Sequence, residues 1–200
     1  MALPPQISLA LQSYVSIIVC YHRLMFQWLG LIITLIVWLG LAFLLLRWRN
    51  HQLNSISAHG AALVFKVVLV GGGLAYYWWL VGWYAPHLHL SNLFVTILTV
   101  VIAYQIFTGL NNGNAGFSKD LHDYTSQTMA LLYIPLTVLI VGSHELNLTA
   151  HIICTCLLIY MVNSYVIVEI MKRLKPIHLI FQLAYVVAFQ LVILVSAYLA

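Results

Sequence analysis

Long apolar stretches repeat along almost the whole of this chain and constrain its fold more than any other feature. A helix of about 20 apolar residues is long enough to cross roughly 30 Å of hydrocarbon. Because a bilayer offers no water to backbone polar groups, such stretches must be helical. The 200 residues are 64% hydrophobic and 6% charged, whereas soluble domains carry about 25% charged residues. The sequence therefore predicts an all-α, polytopic membrane protein.

Short turns divide the apolar stretches into six predicted transmembrane helices that form one bundle. The spans cover residues 24–46, 60–83, 90–110, 121–142, 147–169 and 177–199, within one transmembrane domain of residues 23–200. Residues 1–22 contain an apolar run of about 14 residues, which is too short to span a bilayer. We expect a short N-terminal interfacial helix there, because the segment also lacks the positive charge of a signal peptide.

Basic residues are concentrated on one side of the predicted bundle. Its loops contain Arg47, Arg49, Lys119, Lys172, Arg173 and Lys175, whereas the loops of the opposite side contain Arg23. Because positively charged loops are retained in the cytoplasm, we expect the first group inside and both termini outside. The aromatic residues between Tyr76 and Tyr84, near the outer end of span two, are expected at the headgroup interface.

Span four carries a polar face. The residues at helical spacing along it are His122, Ser126, Met129, Tyr133 and Thr137, with Asp123 beside the first of them. One interpretation is a cavity open to the cytoplasm, lined by His122, Asp123, Ser126, Tyr133, Gln182, Gln105 and Asn163. The other interpretation is packing alone, because small and polar residues commonly connect membrane helices through hydrogen bonds.

Nine histidines support an alternative function. A bis-histidine haem needs two imidazoles from facing helices at the same depth. His59 with His122, and His89 with His151, would supply two such pairs for haem b. This layout resembles the ascorbate-reducible di-haem transmembrane cytochromes, which implies electron transfer across the membrane. Every predicted span has a histidine near its start, so such pairs also arise without a function.

The chain carries no recognisable catalytic motif. It has no HExxH, no GxSxG and no paired carboxylates within a span. We therefore expect a non-enzymatic bundle in the lipid bilayer that binds a lipid or small hydrophobic ligand, or that joins a membrane-protein partner or homo-oligomer. Nucleic acid is not an expected partner, because the basic residues lie in short loops. A transporter or channel is a second alternative, disfavoured because intramembrane acids and an internal repeat are missing.

The second half of the chain resembles a known family. The residues that carry the resemblance are Leu121-His122-Asp123, Thr125-Ser126, Met129 and Pro135 after a polar loop, then Ile180-Phe181-Gln182, Tyr185 and Phe189. These features are similar to those of an uncharacterised prokaryotic family of six-span membrane proteins, which is distantly related to the Frag and DRAM groups of eukaryotes. The resemblance implies an integral protein of the prokaryotic plasma membrane, and it implies no particular activity.

Overall fold

The computed structural model of the chain is helical in the parts that it describes. These parts are residues 20–21, 24–40, 42, 67–110, 116–170 and 175–199. Their side chains are described except at residues 68–69, 108–110, 116–123, 126, 168–170 and 175–183. No strand is found within these ranges, which confirms the predicted all-α class.

Six helices make up the described residues. Helix α1 is Leu24–Gly40, and α2 consists of four consecutive segments, Val67–Gly71, Gly72–Trp79, Leu80–Tyr84 and Ala85–His87. The remaining helices are α3 (Asn92–Leu110), α4 (Gly116–Val141), α5 (Leu148–Ile170) and α6 (Lys175–Leu199). Each helix overlaps one predicted span. The predicted interfacial helix of residues 1–22 lies outside the described residues except for 20–21.

One helical stretch within the described residues is long and apolar enough to cross a membrane, by length and composition. This stretch is Leu148–Ile167 in α5. Shorter apolar stretches of 10–17 residues occur at Leu24–Gly40, Asn92–Phe107, Gln127–Val141 and Ala184–Leu199. The helical architecture is thus confirmed, and the number of spans stays a prediction.

Contacts between the helices define an alternating up-and-down arrangement. Helix α1 runs opposite to α6, because Gln27 bonds the carbonyl of Ala197 while Trp38, further along α1, bonds Gln190. Helices α4 and α6 run in the same direction, since Tyr185 contacts Ala130 and Phe189 contacts Tyr133. Helix α6 also packs against α5, and α3 packs against α2 and α4. The first helix therefore lies beside the last, which closes the bundle.

The aromatic residues of α2 lie mainly in the core. Trp79 is 1% exposed and Tyr84 is fully buried, while Tyr76 is 7% exposed. These three side chains face the interior of the bundle, whereas Trp78 is exposed on the outer surface. The depth of the cluster at a headgroup interface stays a prediction. Burial is tolerated because the indole N–H of Trp79 donates to the carbonyl of Phe26 at 2.7 Å, so its one polar atom is satisfied inside the bundle.

Helix α2 widens before it ends. Pro86 has no N–H, and in a regular helix its ring would clash with the carbonyl of Gly82. The backbone takes wider π-helical turns over Leu80–Tyr84, where the N–H of Ala85 donates to the carbonyl of Leu80. Beyond the end of the helix, Leu90 N–H bonds the carbonyl of Ala85 at 2.9 Å, and His89 takes a left-handed conformation with φ 49°. This pattern is a Schellman helix end, at which glycine is the usual left-handed residue.

Helices α1 and α2 approach closely at Gly30. A Cβ atom built on Gly30 would overlap the ring of Trp79. Because this ring is buried and held by its hydrogen bond to Phe26, moving it aside would cost packing energy.

We predict that Gly30→Ala destabilises the protein by about 1–3 kcal/mol through overpacking. Gly71→Ala is the matched control, because a Cβ atom at that helical glycine meets nothing within 4 Å. The control should be neutral or stabilise the protein by about 0.5–1 kcal/mol, as alanine does in a helix. Thermal unfolding of both variants in the same detergent measures the difference. Equal midpoints would contradict the close contact between α1 and α2.

Candidate functional site

The predicted cavity residue Tyr133 lies at the seam between α4 and α6. Its side chain is 9% exposed, and its ring centroid lies 4.3 Å from that of Phe189 and 6.3 Å from that of Tyr185. The hydroxyl of Tyr185 donates to the carbonyl of Ala130, in the turn of α4 that precedes Pro135. Tyr133 is therefore directed into the bundle, and its role in a ligand cavity stays a prediction.

The same face of α4 continues toward the turn between α4 and α5. Thr137 is fully buried, and its hydroxyl donates to the carbonyl of Tyr133 at 2.8 Å and lies 3.7 Å from the sulfur of Met161. Leu136 and Ile140 beside it are also fully buried. Thr137 therefore serves the packing of α4 against α5, which is what the packing interpretation of span four expects.

Two other predicted cavity residues belong to helices other than α4 and α6. Gln105 of α3 is half-buried next to Gly73, and a Cβ atom on that glycine would lie 2.5 Å from its Nε2. Asn163 of α5 is exposed on the outer surface, and the adjacent Ser164 occupies the buried side of the helix instead. The described residues therefore bring Tyr133 together with α6 but do not bring Asn163 to the seam.

The remaining predicted cavity residues are placed by their backbones alone. His122, Asp123 and Ser126 belong to α4 and Gln182 belongs to α6, but the structure does not describe their side chains. Ser126 and His122 precede Tyr133 by 7 and 11 residues, so helical spacing places their backbone positions on the same face of α4. The cytoplasmic half of the predicted cavity stays a prediction.

The candidate haem ligands that the structure describes lie at one end of the bundle. His89 follows α2, is 79% exposed and has its Nε2 atom 3.9 Å from Oε1 of Glu145, while His151 is exposed in the first turn of α5. His59 lies outside the described residues, and the side chain of His122 is not described. Within the described part of the chain, no group of three or more His, Cys, Asp or Glu side chains could hold a metal ion. The haem pairs stay predictions.

A buried group of tyrosines is the feature that sequence reasoning missed. Tyr76 and Tyr84 come from α2, Tyr133 from α4 and Tyr185 from α6. The four-residue step between Tyr76, Leu80 and Tyr84 was a signal for one buried face, but the surrounding aromatic residues also fit a membrane interface. Burial of all four places several hydroxyl groups between three helices that run in the same direction.

The hydroxyl pair formed by Tyr84 and Ser196 connects α2 to α6. Both residues are fully buried and hydrogen-bonded to each other. Ser196 Oγ donates its own hydrogen to the carbonyl of Val192 at 2.7 Å. The tyrosine must therefore be the donor in the pair, with the serine oxygen as the acceptor.

No family model, no curated protein and no solved structure matches the chain. The resemblance to the prokaryotic six-span family accordingly stays a prediction.

We predict that Ser196→Ala costs more stability than Tyr84→Phe. Loss of the serine leaves the buried tyrosine hydroxyl without an acceptor, which costs about 1–3 kcal/mol, whereas loss of one ordinary hydrogen bond costs about 0.5–1.5 kcal/mol. Unfolding midpoints of the two single variants and of the double variant, compared in one detergent, test the order. The double variant should be no less stable than Ser196→Ala, and a reversed order of the single variants would contradict the donor assignment.

Proposed function

We propose that the chain is an integral membrane protein of six spans. The observation that supports this is the outer surface of the described helices, which exposes large apolar residues at seven-residue steps. The residues are Met25, Ile32 and Leu39 on α1; Leu93, Val100 and Phe107 on α3; Leu131 and Val138 on α4; and Ile152, Ile159 and Val166 on α5. A surface helix of a soluble protein carries polar residues on its outer face, so this pattern favours contact with lipid.

In this proposal, both termini lie outside the cytoplasm. The start of α1 contacts the end of α6, because Gln27 bonds Ala197 and Tyr198 bonds the carbonyl of Gln27 at 2.9 Å. The turns at residues 88–91 and 142–147 join at the same end, since the hydroxyl of Ser143 donates to the carbonyl of Leu88 at 3.0 Å. The basic loops predicted at residues 47–59, 111–120 and 170–176 belong to the opposite end, which the positive-inside rule assigns to the cytoplasm.

The orientation is tested by cysteine labelling of spheroplasts. In a chain whose Cys20, Cys154 and Cys156 have been replaced, Ser91→Cys should react with a membrane-impermeant maleimide, and Asn112→Cys should react only after lysis. Inner-membrane fractionation of the same cells checks the location of the protein. Labelling of Asn112→Cys from outside, without lysis, would overturn the orientation.

We further propose that the protein is not an enzyme and binds a lipid or small hydrophobic ligand in a cavity between α4 and α6 that opens to the cytoplasm. The observation that supports this is that the residues along the seam between α4 and α6 change from apolar at one end to polar at the other. Toward the outer end, Leu136 and Ile140 of α4 and Val192 and Ile193 of α6 are fully buried apolar residues. Toward the other end, the same face of α4 reaches the backbone positions of Ser126 and His122.

A seam that is apolar and buried at one end fits a binding cavity better than a passage. A transporter or channel needs a polar route along the full length of the bundle, and the buried residues of the outer half leave none at this seam. The polar groups toward the cytoplasmic end are an imidazole, a carboxylate, a hydroxyl and an amide. These groups suit a ligand with an apolar body in the bilayer and a polar end directed toward the cytoplasm.

We predict that the protein retains a small molecule through purification and that seam variants lose it. Native mass spectrometry should show that His122→Ala and Gln182→Ala lower its occupancy about tenfold, equivalent to about 1.4 kcal/mol of binding free energy. Asn163→Ala is the matched control, because that side chain is exposed on the outer surface of α5. Equal loss from all three variants, or no retained molecule, would contradict the cavity. A sharp absorption band of the reduced protein, weakened by His122→Ala, would instead support the haem alternative.

A further inference from the structure

One buried hydroxyl in the centre of the bundle has no protein partner. Among the described residues, the hydroxyl of Tyr76 is the buried side-chain oxygen or nitrogen atom that makes no hydrogen bond. The side chain of Tyr76 is 7% exposed, and its ring centroid lies 5.7 Å from that of Trp79. Because a buried polar group without a partner is disfavoured, natural structures almost always satisfy such a group.

The polar groups around this hydroxyl come from two other helices. Thr34 of α1, fully buried, has its hydroxyl beside that of Tyr76, but the two do not reach hydrogen-bond geometry. Thr34 uses its hydrogen to bond the carbonyl of Gly30 at 2.8 Å, so its oxygen can still accept. Tyr133 of α4 lies close enough to Tyr76 for an electrostatic interaction between their hydroxyls. The hydroxyls of Thr34 and Tyr133 are therefore the neighbouring groups that could share a bound molecule with Tyr76.

The side chains around the Tyr76 hydroxyl favour an uncharged bound group. The buried polar residues of the described bundle are threonine, serine and glutamine, together with the tyrosines, and none is charged. An ion placed here would have no counter-charge and would pay a large desolvation penalty. A neutral oxygen can accept from Tyr76, and an oxygen that carries hydrogens can also donate to the oxygens of Thr34 and Tyr133. A buried water typically makes about three hydrogen bonds, which matches the number of hydroxyls present.

We propose that Tyr76, Thr34 and Tyr133 form a binding site for one neutral oxygen atom that accepts a hydrogen bond from Tyr76. This oxygen comes either from an internal water molecule or from the carbonyl or hydroxyl group of a small lipophilic ligand. The site shares Tyr133 with the predicted cavity but does not include His122 or Gln182. The two proposals therefore fail separately: the cavity is tested at His122 and Gln182, and this site is tested at Tyr76.

The sign of the stability change in Tyr76→Phe tests the site. The variant keeps the ring and removes only the hydroxyl, so the protein should fold in either case. If the hydroxyl binds an oxygen, Tyr76→Phe removes a hydrogen bond and should lower Tm by about 2–4 °C for a chain of this size. If the hydroxyl is an unsatisfied buried group, its removal relieves a penalty and raises Tm. A rise, or no change, would overturn the proposal.

A matched control and a second variant separate this site from general effects of losing a hydroxyl. Tyr77→Phe removes a hydroxyl whose partner, Thr99, lies 2.9 Å away near the surface, and it should change Tm less than Tyr76→Phe does. In a Thr34→Val background, the decrease caused by Tyr76→Phe should fall to less than half, because the two groups share one bound oxygen. Additive decreases would contradict a shared oxygen.

Delipidation distinguishes the two sources of the oxygen. The wild type and Tyr76→Phe are compared before and after lipid extraction, and again after addition of total lipid extract. A difference in Tm that persists in all three conditions assigns the site to water. A difference that is present only with lipid assigns it to the oxygen of a lipophilic ligand. Density from a high-resolution structure should then place an oxygen about 2.8 Å from the Tyr76 hydroxyl, and its absence would overturn the proposal.

Discussion

The contact between the ring of Trp79 and the backbone at Gly30 determines how the described helices assemble. It allows α1 to approach α2 closely, and the bond from the indole N–H to the carbonyl of Phe26 fixes the height of one helix against the other. At that height, neighbouring positions on the same side of α1 meet α6, where Gln27 and Trp38 make their bonds. Without this contact, the first helix would have no fixed place between α2 and α6, and the bundle would lose the packing that joins its ends.

Helix α6 connects three of the other helices through hydrogen bonds between buried groups. It accepts or donates hydrogen bonds to α1, α2 and α4, through Gln190, Ser196 and Tyr185. Because each bond pairs buried polar atoms inside the bundle, α6 holds these helices without leaving those atoms unsatisfied.

The sequence was sufficient to predict which segments are helical. It was not sufficient to predict which face of each helix is turned toward the interior of the bundle. Apolar stretches of membrane length can form little else, so the six helical segments followed from length and composition. Rotation is harder to predict because the helices are apolar on all sides. Asn163 was expected inside, whereas the adjacent Ser164 is buried there. Trp79 was expected at an interface, because the glycine that receives its ring lies about fifty residues away and no local pattern indicates it. Tyr133 and Thr137 are both buried on one side of α4, because polar residues at helical spacing define a face even in an apolar helix.

The histidines at the outer end have structural surroundings that compete with a cofactor. His87 stacks on Trp83 with ring centroids 4.9 Å apart, and His89 occupies the left-handed position that ends α2, with Glu145 nearby. His89 and His151 are both exposed, so the structure directs neither imidazole into the interior of the bundle. We therefore favour the seam between α4 and α6, and the hydroxyl group of Tyr76 beside it, as the places where this protein binds other molecules.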